Sequence, residues 1–126
     1  MAELKKILVR RLLVALMLAG LRGYAADSLR IEGGNIRIEF DASMHSRVVA
    51  LLGGPEIPVG DFTASEFIRT AGSVVKDFSL RSHQREPVRD RLGAGFRTVI
   101  TGTAPALKKV VTVTLYDAFP RMAFFD

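Results

Sequence analysis

Between Asn35 and Asp41 the chain alternates. Ile36, Ile38 and Phe40 fall on one side of an extended backbone, and Arg37 and Glu39 fall on the other. That period of two predicts a half-buried β-strand. Ser28 to Asp41 reads as two strands joined at Gly33-Gly34-Asn35, a tight hairpin where glycine and asparagine tolerate positive φ. A third strand is predicted over Arg47 to Leu52, stopped by Gly53, Gly54 and Pro55. A fourth is expected within Ser73 to Ser82, its apolar face undefined by the mixed order of Val74, Val75, Phe78 and Leu80. Gly95 to Thr103 and Leu107 to Asp117 are rich in Val, Ile and Thr, which suit a pleated surface, with a short turn between them. Arg121 to Asp126 reads as a strand that has just begun. Short strands at this spacing, with turn signals between them and no long amphipathic helix, predict an all-β antiparallel sandwich.

The first 25 residues follow a different pattern. A cationic stretch, Met1 to Arg11, precedes ten apolar residues, Leu12 to Leu21, and then the small residues around Gly23 and Ala25. A ten-residue helix rises about 15 Å, half of the roughly 30 Å hydrocarbon core, so the segment suits a translocon better than a permanent span. The three-part order predicts a cleaved secretory signal over 1–25. Cleavage between Ala25 and Ala26 places Gly23 and Ala25 in the two pockets that require small side chains. The mature domain would then be 26–126, secreted or periplasmic, with no stable membrane anchor.

Charge changes the picture once the leader is set aside. The whole chain carries 18 basic and 13 acidic residues. Lys5, Lys6, Arg10, Arg11 and Arg22 against Glu3 place most of the excess in the leader, which leaves 13 basic and 12 acidic groups beyond it. A nucleic-acid partner is therefore not expected. The chain has no cysteine, which excludes disulfides, thiolate metal sites and a lipid anchor on cysteine.

Candidate chemistry is sparse. His45 and His83 lack the companions that a zinc site needs, so they read as surface histidines, and no metal or cofactor is expected. Gly53, Gly54, Gly93 and Gly95 lie outside any strand-to-helix phosphate loop and read as turn residues. Arg81, Arg85, Arg89 and Arg91 alternate with Glu86 and Asp90 in the densest charge run. Guanidinium groups at such spacing can clamp an anion or a sugar acid, but the cluster is expected to be a solvated loop whose charges pair locally. Asp61 and Glu66 have the residue type of a glycosidase acid pair. They are expected to be surface acids without a catalytic role, because the reaction needs carboxyls held across a scissile bond.

The stretches Ile36 to Leu51, Phe62 to Phe67, Asp90 to Gly102 and Val110 to Asp126 together resemble the N-terminal β-domain of secreted bacterial α-galactosidase (melibiase)-like glycoside hydrolases of family 36. "LGAGFRTVITG" and "YDAFPRMAFF" are the most distinctive parts. The resemblance implies a galactose-mutarotase-like supersandwich packed against a (β/α)8 barrel that carries two catalytic aspartates, nucleophile and acid/base. The barrel lies outside this sequence, so the resemblance assigns no catalytic and no substrate-binding residue to any position here.

Two functions follow as expectations. In the first, the chain is the N-terminal fragment of an exported α-galactoside hydrolase, its sandwich incomplete at the C-terminus. Its partner is then the catalytic barrel of the same parent chain, whose substrate is a glycan, and the fragment alone is inactive. Oligomerisation is left open. In the second, it is a stand-alone secreted binding module for glycans or a surface partner. The absence of Trp weighs against the second reading, since sugar faces usually rest on aromatic platforms.

Overall fold

The computed structural model describes residues 28–126, and the predicted signal and its Ala25/Ala26 cleavage point lie outside them. Every described element is a strand: β1 (Leu29–Gly33), β2 (Ile36–Phe40), β3 (Ser46–Ala50), β4 (Ile57–Pro58), β5 (Ile68–Arg69), β6 (Val74–Val75), β7 (Ser79–Asp90), β8 (Gly93–Ala104), β9 (Leu107–Tyr116) and β10 (Phe124–Phe125). All pairings are antiparallel. One four-stranded sheet has the order β1-β2-β3-β4, a second has β10-β9-β8-β7, and β5 pairs with β6 alone.

Alternation carries the packing. Ile31 and Ile38 are cross-strand partners in the first sheet, with Phe40 on the same face two residues on. They share one apolar cluster with Ile100, Val111, Val113 and Leu115 of the second sheet, and with Met44 and Phe78 from the connections. Each such side chain, when fully buried, contributes about 1.5–3 kcal/mol of transfer free energy. Ala104 and Leu107 flank a two-residue turn, and β8 opposes β9 from Gly95↔Tyr116 to that turn without a bulge. Two glycines allow close approach of a connecting segment. Gly34 has φ +59° and its α-carbon faces Pro120, where an added Cβ would come within 2.7 Å of the proline backbone. A Cβ at Gly102 would overlap the Met44 sulfur.

Several boundaries differ from the sequence reading. The first hairpin turns at Gly34-Asn35, with Gly33 inside β1. The third strand ends at Ala50, short of the expected Leu52. The expected fourth strand is divided: β6 covers Val74–Val75, and Phe78 dips into the core before β7 begins. The largest correction concerns the arginine run, which from Arg81 to Asp90 is the body of the 12-residue strand β7 and not a loop, with Arg91 alone in the turn that follows. Its ladder with β8 is regular except for a shift between Leu80 and Ser82. Charge had masked the strand, because an edge strand can be polar on both faces. Arg121 to Met122 do not join the terminal strand, which is limited to Phe124–Phe125. Within that strand Phe125 is 41% exposed.

Candidate functional site

Lys109 and Glu66 mark the most chemically distinctive region. On β9, Lys109 shares a strand face with Val111, Val113 and Leu115, so its side chain enters the interior, and only 6% of the residue is exposed. Its Nζ donates to the Glu66 carbonyl oxygen at 2.8 Å and lies 4.5 Å from the Phe78 ring centroid. Burial lowers the Lys109 pKa, and the Glu66 charge only partly opposes it. Burial in turn raises the Glu66 carboxyl, against the charge of Lys109 and Glu66's own backbone N–H. One carboxyl oxygen, Oε2, is buried without a hydrogen-bond partner among the described residues.

Two cavities meet at Glu66 and Phe125. The larger, about 470 Å³, is bounded by Phe67, Ile68, Val110 and Val111 together with Lys108 and Lys109. The other, about 380 Å³, is bounded by Val48, Val59, Asp61, Ser65 and Arg47. Ser46 and Thr63 exchange backbone hydrogen bonds at 2.8 and 3.0 Å, which brings the loop carrying Asp61 and Glu66 against the edge of β3. The Ser46 hydroxyl donates to the Ser65 hydroxyl at 2.9 Å. Asp61 and Glu66 therefore line a common cavity. Asp61 is exposed as expected, whereas Glu66 is half-buried, which corrects its assignment to the surface. Among the described residues no hydrogen bond orients the Asp61 side chain, whereas a catalytic pair needs both carboxyls held in place.

The outer face of the first sheet holds a second cluster. Arg37 Nε and Arg47 Nε donate to the two Glu39 carboxylate oxygens at 2.8 and 2.7 Å, and Arg37 also grips Glu56 through both terminal nitrogens. Arg30 stands 3.4 Å from Glu39. Burial alone would raise the Glu39 carboxyl, but the Arg47 hydrogen bond and the charges of Arg47, Arg37 and Arg30 outweigh it and hold the group below the usual carboxylate range. The same Glu56 contacts raise Arg37. Three arginines against Glu32, Glu39 and Glu56 leave this face neutral, which suits structure better than anion capture.

The histidines and the arginine run behave differently from one another. His45 is half-buried, not a free surface group, with Nε2 at 2.7 Å from Asp77 Oδ1. His83 is exposed on β7. Arg81, Arg85, Arg89 and Arg91 make no ion pair among the described residues, although local pairing was expected. The strand explains why: Glu86 points to the opposite face and meets Arg97 at 3.7 Å, and Asp90 accepts from Tyr116 Oη at 2.6 Å. Arg85 instead covers the Phe96 ring at 4.1 Å, beside a cavity of about 330 Å³ that Glu32 and Asp117 also line.

Sequence reasoning passed over Lys109. The signal was its parity with Val111 and Val113, which places a lysine on an apolar row. Compared with protein-family models, with curated proteins and with solved structures, the chain matches none.

Proposed function

We propose that this chain is an exported, non-catalytic β-domain of an α-galactosidase-like glycoside hydrolase, and that it works by packing against the catalytic barrel of that enzyme. The enzyme class rests on the resemblance in Ile36 to Leu51 and Val110 to Asp126. The two antiparallel sheets and the apolar cluster they share support a sandwich of the galactose-mutarotase-like kind. One observation carries the docking role. Among the described residues, Val48, Val59, Phe67, Val110 and Phe125 are half of the ten exposed large apolar side chains, and they gather around the two cavities that meet at Glu66. Contiguous apolar surface of this kind marks an interaction face.

The test uses native protein. An antibody raised against the 126-residue chain should capture, from cells that produce it, material that hydrolyses an aryl α-galactoside, while the 126-residue chain alone shows no turnover above a buffer blank. Captured protein without glycosidase activity overturns the enzyme class. Turnover by the chain alone overturns the non-catalytic role, and its loss in Asp61→Asn or Glu66→Gln would make those acids catalytic.

A second reading, a glycan-binding module, is favoured by the partly exposed Phe96, its ring stacked under Arg85, beside Glu32 and Asp117. Amide shifts confined to these residues on titration with galactose would support it.

A further inference from the structure

A cavity of about 330 Å³ lies between the β1–β2 turn, the Arg85–Phe96 pair and residues 115–120. Its walls are tied together by the backbone. The Asn35 N–H donates to the Pro120 carbonyl at 2.7 Å, the Asp117 N–H to the Ala94 carbonyl at 2.9 Å, and the Phe119 N–H to the Tyr116 carbonyl at 3.0 Å. Leu115, Phe119 and Pro120 supply apolar wall. Strand parity adds a cation: Arg85 opposes Thr98, and Thr98 opposes the core residue Val113, so Arg85 leaves β7 on the side that faces the first sheet. Its guanidinium lies on the Phe96 ring, 4.1 Å from the centroid. Stacking uses the flat face of the group and leaves the N–H groups on its rim able to donate. Among the described residues, the Arg85 and Asp117 side chains that border this cavity have no hydrogen-bond or ion-pair partner. Glu32, which also borders it, is engaged by Arg37 at 3.5 Å.

We propose that this cavity binds a sugar acid, a pyranose bearing one carboxylate, with the carboxylate on the Arg85 fork and ring hydroxyls donating to Asp117. The inference rests on the glycan-binding reading above and narrows its ligand. Charge decides the class. A neutral sugar offers the guanidinium only neutral acceptors, whereas a carboxylate matches its fork with two charge-assisted hydrogen bonds. A doubly charged phosphate meets stronger repulsion from Asp117. A hydroxylated monocarboxylate satisfies both groups at once. The volume, near the lower end for ligand cavities, suits a single ring better than a long chain. The apolar face of that ring can rest on Phe119 and Pro120.

NMR of the full chain at constant ionic strength tests this, with sodium D-galacturonate, D-galactose and sodium acetate titrated separately. Galacturonate should shift the Arg85 Nε–H signal together with the amides of Gly34, Phe96 and Asp117. It should bind about tenfold tighter than galactose or acetate, the scale of one charge-assisted pair. Arg85→Gln removes the fork from an exposed position. It should bring galacturonate down to the affinity of galactose, while the amides of Ile100 and Val113 stay in place. Arg85→Lys keeps the charge without the fork or the flat face, and should not restore the preference. Equal affinity for galacturonate and galactose overturns the acid preference and leaves the glycan module standing. Acetate that binds as tightly as galacturonate overturns sugar recognition. No shift with any of the three removes both the site and the glycan-binding reading. A preference that survives in Arg85→Gln, or returns in full with Arg85→Lys, overturns the role given to the Arg85 fork.

Discussion

Tyr116 Oη donates to Asp90 Oδ2 at 2.6 Å, tying the end of β9 to the end of β7 across the strand between them. The hydrogen bond from Tyr116, with that from the Leu92 N–H, lowers the Asp90 pKa, and the same bond raises Tyr116. A depressed carboxyl contributes stability that is present above its unfolded pKa and is lost as pH falls through the folded value. The raised tyrosine contributes below its unfolded pKa of about 10 and loses that contribution as pH rises through the folded value. Tyr116→Phe should therefore melt lower than wild type at neutral pH, and the gap should close in strong acid. NMR titration of the Asp90 carboxyl should show its pKa rising in the variant.

Glu66 has the opposite sign. Its raised pKa means that the folded state favours the protonated form, so ionisation weakens the fold as pH rises from the unfolded value to the folded one. Glu66→Gln should melt higher than wild type at pH 7 and equal to it in acid, where Glu66 is already protonated. Thermal melts across that range check the prediction, and a neutral or lower melting temperature at pH 7 contradicts it.

Glu39, 2% exposed, is the hub of its cluster, whereas the Arg30 side chain is 65% exposed. Removing the carboxylate charge with Glu39→Gln leaves Arg37 without its nearest shielded partner. Because Arg47 and Arg30 remain open to water, solvent screening holds the loss to about 1–3 kcal/mol, below that of a fully buried pair. Arg30→Ala should cost about 1 kcal/mol or less. The Glu39 carboxyl is depressed, so its contribution disappears as pH falls through the folded value. Urea melts at neutral and acid pH should show the two variants converging.

Gly102 and Met44 can be tested as a pair. Gly102→Ala should cost about 1–3 kcal/mol, the range for overpacking a core, because the new methyl overlaps the Met44 sulfur. Met44→Ala should itself destabilise by about 2–5 kcal/mol. The double variant should lose less than the sum, and a strictly additive result would show that the two sites do not share space.

The signal expected over 1–25 from the sequence predicts a processed terminus. Mass spectrometry of protein from the envelope or medium should find a start at Ala26 or within a few residues of it. An intact Met1 on cytosolic protein contradicts both the signal and the exported location.

Sequence alone determined whatever repeats with a local period. The alternation in Ile36 to Phe40, the turn glycines and the β-branched runs at Gly95 to Thr103 and Leu107 to Asp117 were sufficient for the all-β class and for most strands, because a side chain's face follows from parity. Tertiary structure decided what parity cannot encode. The arginine run became β7 because β8 supplied a ladder for it, a partner brought by the chain's return through Arg91 and Leu92. Lys109 became a buried cation because the backbone carbonyl of Glu66, 43 residues earlier, came back to accept a hydrogen bond from its Nζ. The loop carrying Asp61 and Glu66 joined β3 through Ser46 and Thr63, which are 17 positions apart. Burial, and with it every pKa shift at the candidate site, depends on which distant surfaces exclude water, and no local pattern in the chain carries that information.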